Sequence, residues 1–252
     1  MKALVRRPSP RLGEGIVTHV ERQPVDYARA CAQWEGYVRA LEDAGWDPVE
    51  APPADDCPDG VFVEDTVVVF GQLAVVTRPG APSRRAEVEG VAQALADLEY
   101  TVERIEAPGT LDGGDVLKIR DTVYVGLSGR TNAEGARQLR EHLAAAGATV
   151  IEVPVANVLH LKSAVTALPD GSIIGYARFV PPTFRDFVAM PEESGAHVVL
   201  LRSGKVMVAA DCPRSAELIA ARGYDPVIVD ISEFQKLEGC VTCLSVRLRR
   251  AA

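Results

Sequence analysis

Cys243 places a thiol where a loop of small and apolar residues, Leu237-Glu238-Gly239-Cys240-Val241-Thr242, runs into the last apolar alternation of the chain, Leu244 to Leu248. A thiol at a loop-to-strand junction is open to a ligand. The thiolate is the reactive form, and it needs a base or a cation nearby. The chemistry of this stretch therefore depends on what else the chain brings to it. Taken alone, Cys240 and Cys243 with two residues between them read equally as a redox dithiol or as half of a zinc site.

Several other groups could serve such a sulfur. Glu64 and Asp65 stand together at the start of a run, Val61 to Phe70, that otherwise reads as a buried strand. Buried carboxylates are costly unless paired, and a cationic ligand would pair one of them. On a strand the two point to opposite faces. Asp59 adds a third acid upstream, and an internal ion pair with Arg78, Arg84 or Arg85 is the plainer explanation of all three. Asp112 precedes Gly113-Gly114-Asp115, where the glycines suit a turn with positive φ, so it reads first as a turn residue. His160, in Val158-Leu159-His160-Leu161, is a core histidine unless Cys243 needs a base. For that role it is better placed than His19, His142 or His197. Arg84 and Arg130 each precede a helical pattern, where a cation is mildly unfavourable to the helix dipole; converging, they could clamp a carboxylate.

Composition narrows the class. With 252 residues, 47% of them hydrophobic, the chain suits one large domain or two small ones around a substantial core. A formal charge of −8 without a block of Lys and Arg argues against a nucleic-acid or acidic-membrane surface. Five cysteines at irregular spacing, a strand-like start and no apolar run of membrane-span length predict a reduced, cytoplasmic protein.

The elements that must position these groups come in a repeating order. Lys2 to Val5 reads as a strand, Tyr27, Cys31, Trp34, Val38 and Leu41 as one face of a helix, and Trp46 to Glu50 as a second strand. Then come Val61 to Phe70 and Leu73 to Thr77 around a Gly71-Gln72 turn, a helix capped by Ser83 with Val88, Val91, Leu95 and Leu98 inward, and a strand at Thr101 to Ile105. The same order returns over Asp115 to Val153. It returns again, less cleanly, from Ala164 to Leu201, with a Pro-interrupted region in place of the helix. A fourth copy uses Lys205 to Ala209, a helix after Pro213, and Pro226 to Asp230. The leftover strand Leu244 to Leu248 lacks followers, and the N-terminal strand, helix and strand lack a leader. Joined, they make a fifth unit. The expected fold is α/β: a pseudo-fivefold propeller of ββαβ units, its ring closed by the N- and C-terminal segments, forming a single domain over 1–252.

Taken together, these segments resemble the dimethylarginine dimethylaminohydrolase family, within the guanidine-modifying superfamily. The likeness rests on Phe62-Val63-Glu64-Asp65, Arg78 through Arg85, Leu111-Asp112-Gly113-Gly114-Asp115-Val116, Gly126-Leu127-Ser128 with Arg130-Thr131-Asn132, Leu159-His160-Leu161-Lys162, and Thr242-Cys243. It implies the same propeller and hydrolysis of methylated arginine to citrulline and a methylamine, through a covalent thiouronium and with no metal or organic cofactor. It further implies Cys243 as nucleophile, His160 as general acid/base and Asp112 as its support. Asp65 would bind the guanidinium, with Glu64 reinforcing the acidic wall, and Arg84 and Arg130 would hold the α-carboxylate. Asp59 and the Leu237 backbone would receive the α-amine, with Ile16 on a mobile lid and Glu238 beside it. A small-molecule substrate, neither nucleic acid nor membrane, and a monomer or homodimer complete the expectation. Cys240 then becomes a packing residue. Two arginines for a carboxylate argue against agmatine, and the helical insertion typical of arginine deiminases is missing. A redox or metal-binding module using Cys240 and Cys243 remains the non-enzymatic alternative.

Overall fold

The computed structural model describes residues 1–249, so the last three positions of the expected domain lie outside the described residues. The chain opens with β1 (Lys2–Val5), α1 (Tyr27–Asp43) and β2 (Asp47–Glu50), followed by β3 (Val67–Phe70), β4 (Leu73–Val76), α2 (Val88–Asp97) and β5 (Thr101–Arg104). Next come β6 (Val116–Ile119), β7 (Thr122–Leu127), α3 (Ala133–Ala144) and β8 (Thr149–Pro154), then β9 (Val165–Ala167), β10 (Ile173–Gly175) and β11 (Val188–Ala189). Last are β12 (Val199–Leu200), β13 (Lys205–Ala209), α4 (Pro213–Ala221), β14 (Asp225–Val229), α5 (Ser232–Gln235) and β15 (Val246–Leu248).

These strands form five three-stranded sheets under one rule: the first strand runs antiparallel to the second, and the second parallel to the third. A parallel partner needs a crossover, which is why a helix stands between the second and third strands of four units. The fifth sheet takes β15 from the C-terminus beside β1 and β2, with Lys2 opposite Leu248. The two ends of the chain thus complete one unit.

The core shows that the units close into a ring. Val68 and Val75 pack with Val116, Val123 and Leu139, joining the β3 and β6 sheets. Leu117 and Val153 meet Leu161 and Val165; Leu168 and Ile174 meet Val206 and Ile219; Met207 and Val229 meet Val5 and Trp34. Leu4 and Val246 meet Val67 and Leu95, returning to the first sheet. Each apolar cluster is shared by neighbouring units, so burial holds the ring together as well as each blade. The fold is a pseudo-fivefold α/β propeller.

Three expectations change. The final strand of the Pro-interrupted unit is Val188–Ala189, while Val199–Leu200 opens the next unit, completing it. The buried face of α1 runs Ala30, Gln33, Trp34, Tyr37 and Leu41, with Tyr27 exposed; the Tyr37 hydroxyl bonds the Val241 carbonyl at 2.8 Å, tying the helix to the Cys243 turn. Ser83 does not cap α2, because a 3-10 turn over Pro82–Glu87 precedes that helix.

Candidate active site

Each first strand is preceded by a tight turn, and these turns carry the reactive side chains to one end of the ring. Glu64 and Asp65 lie on a 3-10 turn, Val63–Thr66, rather than on the strand expected there. Asp112 precedes a second such turn and His160 a third. Neither Gly113 nor Gly114 has positive φ. Both are needed for close approach instead: a Cβ on Gly113 would fall 2.0 Å from the Glu64 carbonyl oxygen, and one on Gly114 would fall 2.4 Å from His160 Nδ1.

Cys243, His160, Asp65, Asp59, Arg84, Arg130, Ile16, Leu237 and Glu238 meet around one closed cavity of about 20 Å³, with Phe62, Leu159 and Gly239 between them. His160 is buried, with Nε2 at 3.2 Å from Asp112 Oδ2 and Nδ1 at 3.9 Å from Asp65 Oδ1. Burial opposes its charge, but Asp65, Asp112 and Asp115 outweigh it and raise the imidazole to about 9. Asp65 resists burial through His160, Arg84 and the Gly114 N–H, and falls to about 2. The Cys243 thiol is pushed well up by its contact with Cys240, by burial, and by the nearby Glu64 and Asp65 carboxylates. In the unliganded site these surroundings favour the imidazolium of His160 and the thiol of Cys243.

Two of the expected roles shift. Arg84 Nη1 bonds Asp65 at 2.6 Å, Nε and Nη2 bond Glu87 at 3.0 and 2.8 Å, and Nη2 reaches the Asp59 and Phe62 carbonyls. Most of its donors are thus committed inside the wall, whereas among the described residues the Arg130 guanidinium has one 3.4 Å contact with Thr18 Oγ1 and lies 3.9 Å from Asp112. Glu64, contrary to expectation, does not join the acidic wall. Its carboxylate lines a separate chamber and bonds Lys162 at 2.5 Å, while its N–H donates to the Cys243 carbonyl.

The lid is shut. Asp59 accepts from the Ile16 N–H at 3.1 Å, and Glu238, at φ 61°, accepts from the Thr18 and His19 N–H groups at 2.5 and 2.7 Å. A cavity of about 20 Å³ has room for about one water, so an amino-acid ligand requires these latches to yield.

Three organising residues escaped the sequence reading. Asp115, fully buried, accepts from Ser128 and Thr131 hydroxyls and from the Leu161 N–H, fastening the Arg130 loop to the His160 turn. Glu87 anchors Arg84, and Lys162 bonds Glu64. The acid on each side of Gly113-Gly114 was the available signal for Asp115. Cys240 does more than pack, since its Sγ lies 3.3 Å from Cys243 Sγ. Among the described residues, Asp65, Asp112 and His160 have ligand atoms within 4.8 Å of one another, a set that includes neither cysteine.

The chain is 62% identical over 250 residues to an N(G),N(G)-dimethylarginine dimethylaminohydrolase of Streptomyces coelicolor, covering 98% of this chain and 97% of that one. It belongs to the dimethylarginine dimethylaminohydrolase family. The Pseudomonas aeruginosa member is 40% identical, over 97% of this chain and 98% of its own. A solved Cys-to-Ser variant of the Pseudomonas protein, complexed with citrulline, superposes with a TM-score of 0.91 at 38% identity, covering 98% of each chain. A His-to-Gly variant of a family member, solved as an adduct with S-methyl-L-thiocitrulline, also gives 0.91, at 36% identity, over 98% of this chain and 99% of that one. The N-terminal domain of a cyanobacterial arginine dihydrolase, at 18% identity and a TM-score of 0.81 over 99% of this chain and 98% of its own, shares the fold. No family model matches the chain. Among the described residues no helix is long and apolar enough to cross a membrane.

Proposed function

We infer that this enzyme hydrolyses Nω-methylated arginine to citrulline and a methylamine, with the whole chain acting as one catalytic domain in the cytoplasm. The observation that carries the reading is the convergence of Cys243, His160 and Asp65 with Arg130, Asp59 and Ile16 around one small cavity, a set of groups suited to a molecule that carries both a guanidinium and an amino-acid group.

Asp65 and Asp112 receive the guanidinium and fix its plane, leaving one face of its central carbon to Cys243. A guanidinium stays protonated at neutral pH and is a poor electrophile, so orientation matters as much as nucleophilicity. Its charge also lowers the thiol's pKa; Cys243 releases its proton to solvent as the substrate enters and attacks as thiolate, forming a carbon–sulfur bond. His160, already an imidazolium, gives its proton to the departing dimethylamine nitrogen, and the carbon–nitrogen bond breaks. The now neutral imidazole takes a proton from water, which attacks the thiouronium; the thiolate leaves and citrulline forms. Arg130 holds the α-carboxylate, with one remaining Nη1 proton of Arg84 in support. Asp59 and the Leu237 carbonyl take the α-amine once the Ile16 N–H has moved, and Glu238 governs that movement. Cys243, His160 and Asp112 are the catalytic group in this scheme.

Citrulline release from asymmetric dimethylarginine, arginine and agmatine tests it directly. Turnover of dimethylarginine well above both others is expected. Equal or faster turnover of arginine would move the enzyme to the deiminases, and turnover of agmatine would remove the carboxylate contact with Arg130.

A further inference from the structure

Behind the active-site wall lies a second cavity, of about 320 Å³, lined by the first strands of all five sheets: Val67–Phe70, Val116–Lys118, Thr166 and Ala167, Val198 and Leu200, and Val246–Arg247. It therefore sits on the ring axis. Chain neighbours divide between the two spaces. Asp65, His160 and Cys243 face the small cavity, while Glu64, Lys162 and Thr242 face the large one. The two are back to back, separated by little more than the backbone of three turns.

The charge of this chamber is opposite to that of the protein. Its lining includes Lys118, Arg120, Lys162, Arg247 and Arg249 against one carboxylate, Glu64, in a chain of formal charge −8. Lys162 pairs with that acid at 2.5 Å, and Arg247 lies 3.8 Å from it. The others are held by neutral carbonyls: Lys118 by Val69 at 2.6 Å, Arg120 by Asp170 at 3.1 Å and Arg249 by Leu200 at 2.9 Å. Such bonds orient a cation without neutralising it. Converging like charges raise the energy of the folded state unless an anion offsets them. We propose that the axial chamber is a binding site for one small, multiply charged oxyanion, of the phosphate or polycarboxylate class, held by Lys118, Arg247 and Arg249 and distinct from the methylarginine site.

Guanidinium groups suit such a ligand because their paired N–H donors match two oxygens of one phosphate or carboxylate. A space of about 320 Å³ admits pyrophosphate or citrate. Lys118 projects into accessible space although protein surrounds it. That enclosure, with the cations Lys162, Arg247 and Arg249 outweighing Glu64, brings its pKa down to about 7. A bound anion would draw a proton back onto Lys118, and Arg120, Arg247 and Arg249 carry their charge throughout.

Isothermal titration with pyrophosphate and with citrate, at matched ionic strength, tests the site. We expect one equivalent to bind, and at least tenfold more weakly to Lys118→Gln/Arg249→Gln. That variant should make citrulline at the wild-type rate, which also establishes that it is folded. Preference between the two ligands identifies the source of the oxyanion. Absence of binding at millimolar ligand, equal affinity in the double variant, or loss of binding in Arg130→Ala instead would overturn the proposal. Should the double variant fail to fold, Lys118→Gln alone is expected to weaken binding about threefold, and no change there would count equally against it.

Discussion

Replacing Arg84 and Arg130 separately should give two different defects, although a pure carboxylate clamp would make them alike. Arg84 is buried and pairs with two carboxylates, Asp65 at 2.6 Å and Glu87 at 2.8 Å, which are themselves buried. Arg84→Ala leaves Glu87 in the interior without a counter-charge and Asp65 with the His160 imidazolium alone. Breaking one buried pair in this way typically costs about 3–5 kcal/mol, which in a chain of this size lowers the melting temperature by roughly 6–20 °C. The variant should lose the acid-side stability that Asp65 provides. With its folded pKa near 2, below the ordinary value, Asp65 stabilises the wild type above the unfolded carboxylate range, and that contribution fades as pH drops toward 2. Arg130 makes one long hydrogen bond, so Arg130→Ala should change stability by less than about 1 kcal/mol. Its effect belongs in binding. Loss of a charge-assisted contact to a carboxylate, about 1.5–3 kcal/mol, raises KM roughly 10- to 150-fold with little change in kcat. Thermal melts from pH 2 to 8 and steady-state citrulline assays separate the two. A normally stable Arg84→Ala enzyme with the KM of Arg130→Ala would refute this reading and restore the symmetric clamp.

Two further outcomes follow from the same geometry. His160 has a folded pKa of about 9, above its unfolded value, so its stabilisation is complete below about pH 6.5 and disappears as pH rises through 9. Urea unfolding should show a loss of up to about 3 kcal/mol over that span, absent in His160→Gln; an identical slope in the variant would reject the raised pKa. Glu238→Ala releases the Thr18 and His19 amides, so their hydrogen exchange should quicken at least tenfold, while the Cβ that Ala retains leaves the positive φ as strained as before. Unchanged exchange at those two amides would show that Glu238 is not the latch.

The ring was legible because it is carried by element order and by apolar spacing, which survive weak similarity between units. The stray strand at Val246–Leu248 had nowhere else to go. What the sequence could not convey is direction within a turn. Glu64 and Asp65 are adjacent, and a strand would also part them, but which of the two faces Cys243 and which faces Lys162 is set by the 3-10 turn of Val63–Thr66. The glycines beside Asp112 read naturally as positive-φ residues because that is their common use; the demand actually comes from Glu64 and His160, distant in sequence, pressing against Gly113 and Gly114. Arg84 and Arg130 look equivalent in chain order, but Glu87, one helical turn after Arg84, claims its guanidinium. Local pattern locates a charged residue well, and it says little about which partner reaches that residue first.

The pairing already present in the resting site bears on how catalysis starts. Asp65 is bonded to Arg84 and faces His160, and Asp112 is bonded to His160 and to the Gly80 N–H, so neither acid awaits the substrate unpaired. A guanidinium entering between them must share carboxylates that now hold the imidazolium. That sharing weakens the support that keeps His160 near 9, and the added positive charge lowers its pKa further. The same charge offsets Glu64 and Asp65, which add to the Cys240 contact and to burial in holding Cys243 as a thiol. One event therefore brings both groups toward neutral pH: the sulfur becomes easier to ionise, and the imidazole becomes a stronger acid for the leaving amine. An unliganded site with the thiol protonated is less exposed to stray electrophiles, and the reactive state arises only when a cation of the right shape has passed the latches at Asp59 and Glu238. Substrate-assisted ionisation of this kind predicts that shape and charge are read together, which fits a cavity that in its empty state has space for about one water.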